Sequence, residues 1–457
     1  MARVLESNGA AAGWRVGCEG LQRLRYVYSA VLYLMLPLVL ARLWWRGRTL
    51  APYRQHWAER LGRSRSRFPA RPIWIHAVSV GEVRAAVPLV AELQRGLPRL
   101  PVVFTTTTPG GRQTVRDLFG PDQTCVYLPY DLPGAVRRFL DRLAPAAVLM
   151  METELWPNLY HSLRSRGVTL LLANARLSRA SLRGYRRLGA LTRSTLGCAR
   201  YVCAQSEADA ARFLTLGADP QRVLVCGSLK LDAGLPDRFE QRRSQTDLRL
   251  AHAGPVWIAG STHPGEEAAV LQAHREVIRG YGSALLLLAP RHPERAAAVA
   301  DLCARAHLSW RHYSHTECLE RGVQVLIVDG FGELATLYGS AAVAFVGGSL
   351  VRRGGHNPVE ALLAGTPVLS GPHVGNFAQL FEALQREGAA RLVAGPETLA
   401  EALIAWFEDD ASRCNAAAAG RRVIERQRGA AARTVELLKS LTPFVEAQCP
   451  DSDRATA

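Results

Sequence analysis

Lysine is nearly missing from this chain: Lys230 and Lys439 stand against fifty-four arginines. A compact ammonium is therefore available at two positions only, and every other strong side-chain cation is a planar guanidinium. Cysteine is sparse and scattered as well, nine residues with no Cys-x-x-Cys spacing. An odd, unpatterned set argues for a reducing compartment and against a disulfide scaffold or a zinc site. No Walker loop, no Gly-x-Ser-x-Gly elbow and no His-Glu-x-x-His occurs, and no Asp-x-Asp pair follows a strand. Nucleoside triphosphatases of the P-loop type, α/β-hydrolases and zincins are thus disfavoured, and chemistry without a metal or cofactor is the simpler expectation. Solenoid repeats are absent too, which leaves an ordinary globular chain of 457 residues, long enough for two domains with their own cores.

Positive charge is abundant but uneven. Of the net +16, thirteen arginines against Glu6, Glu19 and Glu59 place +10 in the first 71 residues. A nucleic-acid binder carries its cations along a recognition face, so this clustering speaks against one. Inside the basic region, Tyr26 to Ala41 runs sixteen residues without a charge, between Arg25 and Arg42 and ahead of Trp44 and Trp45. Length and flanks predict a membrane anchor whose arginines suit an anionic cytoplasmic leaflet. A buried core helix is the alternative, while a cleaved signal peptide lacks its small-residue site.

Beyond the anchor, short apolar runs alternate with helical patterns. Strands are predicted at 72–79, 101–107, 146–152, 168–173, 200–204 and 222–226, and a second series at 256–261, 283–290, 323–328, 342–347 and 367–370. Between them, 236–254 is polar and without periodicity and reads as a linker. The expected organisation is an anchor over 1–50, a Rossmann-like domain over 51–235, the linker, a second Rossmann-like domain over 255–440 and a polar tail over 441–457. The fold class is α/β, with two parallel sheets and a cleft between them, and ligands are expected beyond the carboxyl ends of the strands.

Chemistry-bearing residues fall at those strand ends. Glu82, in Ser79-Val-Gly-Glu82, opens a helix and can accept a proton from a hydroxyl nucleophile; an acid that merely complements the helix dipole is the alternative. Glu152 and Glu154 follow the third predicted strand, as site acids or as a cap for the next helix. Lys230 survives the arginine bias at the end of another strand, where a point charge serves a developing negative charge. In the second half, Gly260-Ser-Thr-His-Pro-Gly-Glu-Glu267 offers hydroxyls and an imidazole, and Arg291 offers a fork for phosphate. Asp329-Gly-Phe-Gly-Glu-Leu334 is a glycine turn able to read a base. The run Phe345 to Glu360 reads as strand, glycine-rich turn and helix start, with Asn357 as N-cap, Pro358 in the first position and Glu360 as capping-box acid. The amides of Gly347, Gly348, Gly354 and Gly355 are expected to receive an anion.

Taken in order, Ser79 to Glu82, Thr105-Thr-Thr-Thr-Pro109, Tyr127-Leu-Pro-Tyr-Asp131, Glu152-Thr-Glu-Leu-Trp-Pro-Asn158, Asn174-Ala-Arg-Leu-Ser178, Gly227-Ser-Leu-Lys230, Gly260 to Glu266, Pro290-Arg-His-Pro-Glu-Arg295 and Gly354 to Glu360 resemble the 3-deoxy-D-manno-octulosonic acid (Kdo) transferases of lipopolysaccharide assembly. The resemblance covers roughly residues 20–440, and Tyr53 to Gly62 resembles the family's link after its anchor. It implies a GT-B fold, a CMP-Kdo donor, a lipid IVA acceptor, and work at the cytoplasmic face of the inner membrane. By the same resemblance Glu82 is the proton acceptor, and Glu152 and Lys230 stabilise the transition state. CMP contacts are implied at Pro290 and Arg291, at Phe331, Gly332 and Glu333, and at Asn357, Pro358, Val359 and Glu360. Gly110 and Phe331 depart from the family, which more often has Thr and Met there. A single displacement with inversion suits both the residues and the resemblance. Two rivals share parts of the pattern: a sugar-nucleotide epimerase, which has no use for an anchor, and a basic membrane or nucleic-acid binding protein without catalysis.

Overall fold

Apolar runs without alternation are what a parallel sheet covered on both faces requires, and they form two such sheets here. The computed structural model describes the backbone of residues 8–441 apart from 237 and 331, and side chains from residue 20 onward. The tail after 441 and Phe331 therefore lie outside the described residues. The chain divides into two compact units, the first holding residues up to Ala233 and again from Arg428, the second spanning Gly234–Gln427.

The first unit contains β1 (Ile73–His76), β2 (Val102–Thr106), β3 (Cys125–Tyr127), β4 (Ala147–Met151), β5 (Thr169–Ala175), β6 (Tyr201–Ala204) and β7 (Val223–Val225), in the order β3-β2-β1-β4-β5-β6-β7. Every pairing is parallel. The central strands β1 and β4 are buried along their whole length. Helices Val80–Gly96 and Pro133–Leu143 bury Val83, Leu89 and Val90, and Val136, Phe139 and Leu140, in the cores on the sheet's two faces.

The second unit contains β8 (Val256–Thr262), β9 (Leu285–Pro290), β10 (Trp310–His312), β11 (Val325–Ile327), β12 (Val343–Val346), β13 (Val368–Ser370) and β14 (Ala390–Leu392), in the order β10-β11-β9-β8-β12-β13-β14, again all parallel. All eleven predicted strands are present; β3, β10 and β14, three residues each, are additional.

The expected linker differs from the structure. Residues Phe239–Arg249 form a helix of the second unit, with Phe239 and Thr246 buried. The last described helix, Ala430–Ser440, belongs to the first unit, where Ala430, Ala431, Val435 and Leu438 join the core around Val83 and Leu89. Asp232 fastens its start by accepting the N–H groups of Gly429 and Ala431. Alanine-rich composition gave the helix, but its partner lies some 350 residues earlier in the chain, beyond the reach of local pattern.

The apolar run of residues 26–41 lies in helix α1 (Asn8–Arg46), whose segment Gly20–Arg46 is long and apolar enough to cross a membrane. Only Ser29 and Leu43 of the segment's side chains are buried, while Val27, Val31, Leu34 and Leu38 point outward, Leu34 with 79% of its surface exposed. The core-helix alternative is thus not what the structure shows. A polar patch docks the inner face: Asn158 donates through Nδ2 to Ser29 Oγ at 3.0 Å, and Tyr28 hydrogen-bonds Asp131.

Candidate functional site

In a parallel sheet all carboxyl ends share one edge, so residues distant in sequence are gathered there by topology alone. On the first sheet this edge collects Glu82 after β1, Glu152 and Glu154 after β4, Asn174 on β5 and Lys230 after β7. Glu82 occupies the first turn of helix Val80–Gly96 and is half-buried. Its carboxylate accepts the N–H of Val78 at 2.8 Å and the hydroxyl of Ser79 at 3.2 Å. The threonine-rich loop steadies that arrangement from behind, since Thr107 and Thr108 donate their hydroxyls to the Val78 carbonyl at 3.4 and 3.1 Å. Burial pushes the Glu82 carboxyl up to about 7, the charges of Glu152 and Glu154 add to the rise, and the Val78 and Ser79 hydrogen bonds oppose it. A carboxyl raised in this way exchanges its proton near neutrality, which an exposed acid that only complements the helix dipole does not.

Burial likewise pushes Glu154 up to about 7, with the nearby Trp156 indole opposing the rise and the charge of Glu152 adding to it. Glu152 holds a left-handed backbone, φ 54°, secured by its N–H to the Ala173 carbonyl at 3.0 Å. Non-glycine residues rarely adopt this conformation, and such strain gathers at functional sites. Neither acid caps the helix Pro157–Ser165. Asp131 does, accepting the N–H groups of Asn158 and Leu159 at 2.9 and 2.8 Å. The strings ending in Asp131 and Asn158 are thereby accounted for together: one caps, the other is capped, and both dock α1. Lys230 lies half-buried in the single turn Leu229–Leu231.

The second sheet gathers a different set. His263 follows β8, Arg291 follows β9, Gly332 and Glu333 follow β11, and the glycine turn follows β12, on four adjacent strands. Pro290 ends β9, and the N–H of Arg291 is held by the Thr262 carbonyl at 2.9 Å, leaving an exposed guanidinium. Glu333 stands at the N-cap position of helix Leu334–Gly339 without a side-chain capping bond, and Gly332 before it takes a positive φ of 88°.

The glycine turn corrects the sequence reading. Three of the four expected amides are already bonded: that of Gly348 donates, with those of Ser349 and Leu350, to fully buried Glu266 at 2.7, 2.9 and 2.9 Å, as does that of His263 at 2.9 Å, while Gly347 and Gly355 donate to the carbonyls of Gly260 and Gly348, each at 2.8 Å. The anion held by this backbone is the protein's own carboxylate, contributed from 82 residues earlier. Gly347 permits the approach, since a Cβ there would lie 2.6 Å from the Ser261 carbonyl oxygen. The Thr262 hydroxyl is also committed, to buried Glu267, which pairs with Arg295. The following helix starts at Val359 and runs to Leu363, so Pro358 takes the cap position and Glu360 the second helical one; Asn357 acts one place earlier than expected, with Oδ1 accepting the Val359 N–H at 3.2 Å. Sequence reasoning missed Glu266 because its main partners are distant; the local hint was an acid pair in the turn that leaves an apolar strand.

Around the turn stand two imidazoles with guanidinium groups near them. His263 and His356 share a hydrogen bond between their Nε2 atoms at 2.8 Å, with Arg291, Arg353 and His292 acting on the pair. Burial pushes His356 down to about 4, and the neighbouring His263 and Arg291 lower it further. Such a cluster is suited to phosphate or carboxylate oxygens.

A family model of 3-deoxy-D-manno-octulosonic-acid transferase matches residues 55–233. A curated 3-deoxy-D-manno-octulosonic acid transferase of Haemophilus influenzae is 38% identical over 92% of this chain and 99% of its own length, and one of Bordetella pertussis is 38% identical over 91% and 99%. The chain belongs to the Kdo transferase family of glycosyltransferases. In fold, a UDP-GlcNAc 2-epimerase from Neisseria meningitidis, solved with UDP-GlcNAc, covers 81% of this chain and all of its own with a TM-score of 0.57 at 14% identity. That likeness establishes the GT-B type of two parallel α/β sheets and no more.

Proposed function

We propose that this Kdo transferase family member moves Kdo from CMP-Kdo to a hydroxyl of a lipid A precursor, lipid IVA, in a single displacement with inversion. The observation that carries the chemistry is Glu82: a carboxyl raised to about 7 at the carboxyl edge of a sheet, held by Val78 and Ser79 with its oxygens aligned. Glu82 takes the proton of the acceptor hydroxyl as the oxygen bonds to the donor's anomeric carbon, and the bond from that carbon to the phosphate oxygen breaks to release CMP. Glu152 keeps the proton affinity of Glu82 high through its charge, and Lys230 offsets charge that develops on the departing phosphate. The second unit takes the nucleotide at Pro290, Arg291, Phe331, Gly332, Glu333 and Asn357 to Glu360. Since the turn's amides hold Glu266, the donor's anionic oxygens meet side-chain cations, Arg291 foremost.

The exposed apolar face of α1, with arginines at both ends, supports attachment to an anionic bilayer at the cytoplasmic face of the inner membrane, where a lipid acceptor resides. The test is CMP release measured with both CMP-Kdo and lipid IVA, with either omitted, and with UDP-GlcNAc in place of the donor. Release that needs both substrates supports the reading; release without the lipid, or turnover of UDP-GlcNAc alone, overturns it.

A further inference from the structure

The string Asn174 to Ser178, so far without a role, meets the string Gly227 to Lys230 in one hydrogen bond. Asn174 sits at the end of β5, where the register against β6 shifts between Leu172 and Ala175. Bulges of this kind re-aim a side chain and cluster beside active sites. The residue is 1% exposed and holds a left-handed backbone with φ 53°, which Asn tolerates better than most. Its Oδ1 accepts the N–H of Leu229 at 3.0 Å, the residue immediately before Lys230. Its own carbonyl accepts Gln205 Nε2 at 2.9 Å, and the carbonyl one residue earlier, that of Ala173, holds the strained Glu152.

The turn carrying Lys230 is fastened at its ends by other groups. Arg433 Nε donates to the Cys226 carbonyl at 2.9 Å, and Asp232 binds Gly429 and Ala431. These fix where the turn begins and ends; the bond to Leu229 fixes the turn between them. A further sign sets Asn174 apart from a packing residue: its Nδ2 is buried without a hydrogen-bond partner among the described residues. Buried donors are nearly always satisfied, so a site that served packing alone would shed an orphan amide for an apolar side chain. We propose that Asn174 is the positioning residue for Lys230, locking its turn to the same bulge that holds Glu152, so that the ammonium and the carboxylate keep one fixed spacing. This rests on the reading of Lys230 as the group that offsets leaving-group charge.

Asn174→Gly keeps the left-handed backbone free of strain and deletes only the side-chain bond, and Asn174→Asp restores an acceptor oxygen. With two lysines in the chain, competitive amine acylation reports Lys230 against Lys439 as an internal reference, without any need for turnover. Expected is a change of about threefold or more in that labelling ratio for the glycine variant, smaller for the aspartate variant. In the CMP-release assay, kcat should fall about 10²-fold with the KM for CMP-Kdo little changed, as for a displaced catalytic group. Adding Asn174→Gly to Lys230→Met should slow the enzyme no further, because a residue acting through Lys230 has nothing left to position. An unchanged labelling ratio, or a full additional loss in the double variant, overturns the proposal. Should the glycine variant not fold, the aspartate variant decides by the same ratio: a value nearer to wild type than that of Asn174→Ala supports the role, and equal values for the two overturn it. A wild-type chain that releases no CMP removes the functional reading and leaves the labelling result to judge Asn174.

Discussion

The two units solve opposite electrostatic problems on the same kind of sheet edge. At the edge of the first, burial and mutual repulsion raise the carboxyls of Glu82 and Glu154 to about 7, so acids there hold protons near neutrality. Around the glycine turn of the second, burial and neighbouring cations depress His356 to about 4, so imidazoles there shed protons. Near neutrality the first edge therefore holds carboxyls close to half ionised, whereas on the second the His356 imidazole is uncharged and the positive charge is left to guanidinium groups such as Arg291. In the backbone the two edges are alike: non-glycine residues with positive φ stand at strand ends on both, Glu152 and Asn174 on the first and Ser261 on the second, where the glycine turn adds Gly348, Gly354 and Gly355.

The largest effect should come from removing the proton acceptor. Glu82→Gln keeps the volume and the contacts to Val78 and Ser79 but cannot take a proton, and should slow CMP release by about 10²–10⁴-fold. Wild-type kcat/KM should rise with pH and level off above about 7, as Glu82 ionises, and this limb should vanish in the variant. Turnover within threefold of wild type, at unchanged melting temperature, would remove Glu82 from the role.

In the second unit the sharpest break is Glu266→Gln. The amide cannot accept four N–H groups and brings a donor into their midst, so the turn of Gly348 to Leu350 should loosen. The expected loss is about 1–3 kcal/mol of stability, with weaker CMP binding, read by chemical denaturation and calorimetry. If CMP binding persisted at full strength, the turn would not be part of the nucleotide site. Arg291→Lys should do less. The guanidinium is exposed, and the charge survives while the planar fork is lost, so donor affinity should drop about tenfold, or ~1.4 kcal/mol.

How much of this was legible in the sequence follows the range of the forces involved. Strands such as β4 and β9 are continuous apolar runs, and such runs signal themselves locally. The three-residue strands β3, β10 and β14 do not: Trp310-Arg-His312, on a sheet edge with Arg311 exposed, carries no apolar pattern. The edge positions of Glu152 and Arg291, directly after strands, and of Glu82 and Lys230, in the loops or turns that leave strands, were readable from the order of apolar runs. Glu266 was not, because its meaning lies in amides 82 to 84 positions later. The helix Phe239–Arg249 buries little more than Phe239 and Thr246, too few positions to reveal a periodicity in a charged segment.

The smallest effect, and the one that probes the contrast without touching either edge, concerns Asp131. Burial raises its carboxyl to about 7, against hydrogen bonds from Asn158, Leu159 and Tyr28. An unfolded aspartate releases its proton near 3.8, so above that value the folded chain holds a proton that the unfolded chain lacks. Stability contributed in this way is present at low pH and lost as pH rises through about 7, and Glu82 and Glu154 act in the same direction. Buried His76 and His161, depressed to about 3 and about 4, work the other way once pH falls below 6.5, where the unfolded chain takes up their protons. Between pH 6.5 and 8 the three carboxyls outweigh the two histidines, whose remaining contribution is confined to the lower end of that range, and the first unit should lose stability across it, by ~1 kcal/mol for each carboxyl less the smaller histidine gain. Asp131→Asn keeps an acceptor for the capped helix but cannot ionise, so the slope of urea midpoint against pH should shrink by about a third to a half. An unchanged slope would mean that Asp131 stays ionised beneath α1, and the difference between the two units would then rest on the edge carboxylates alone.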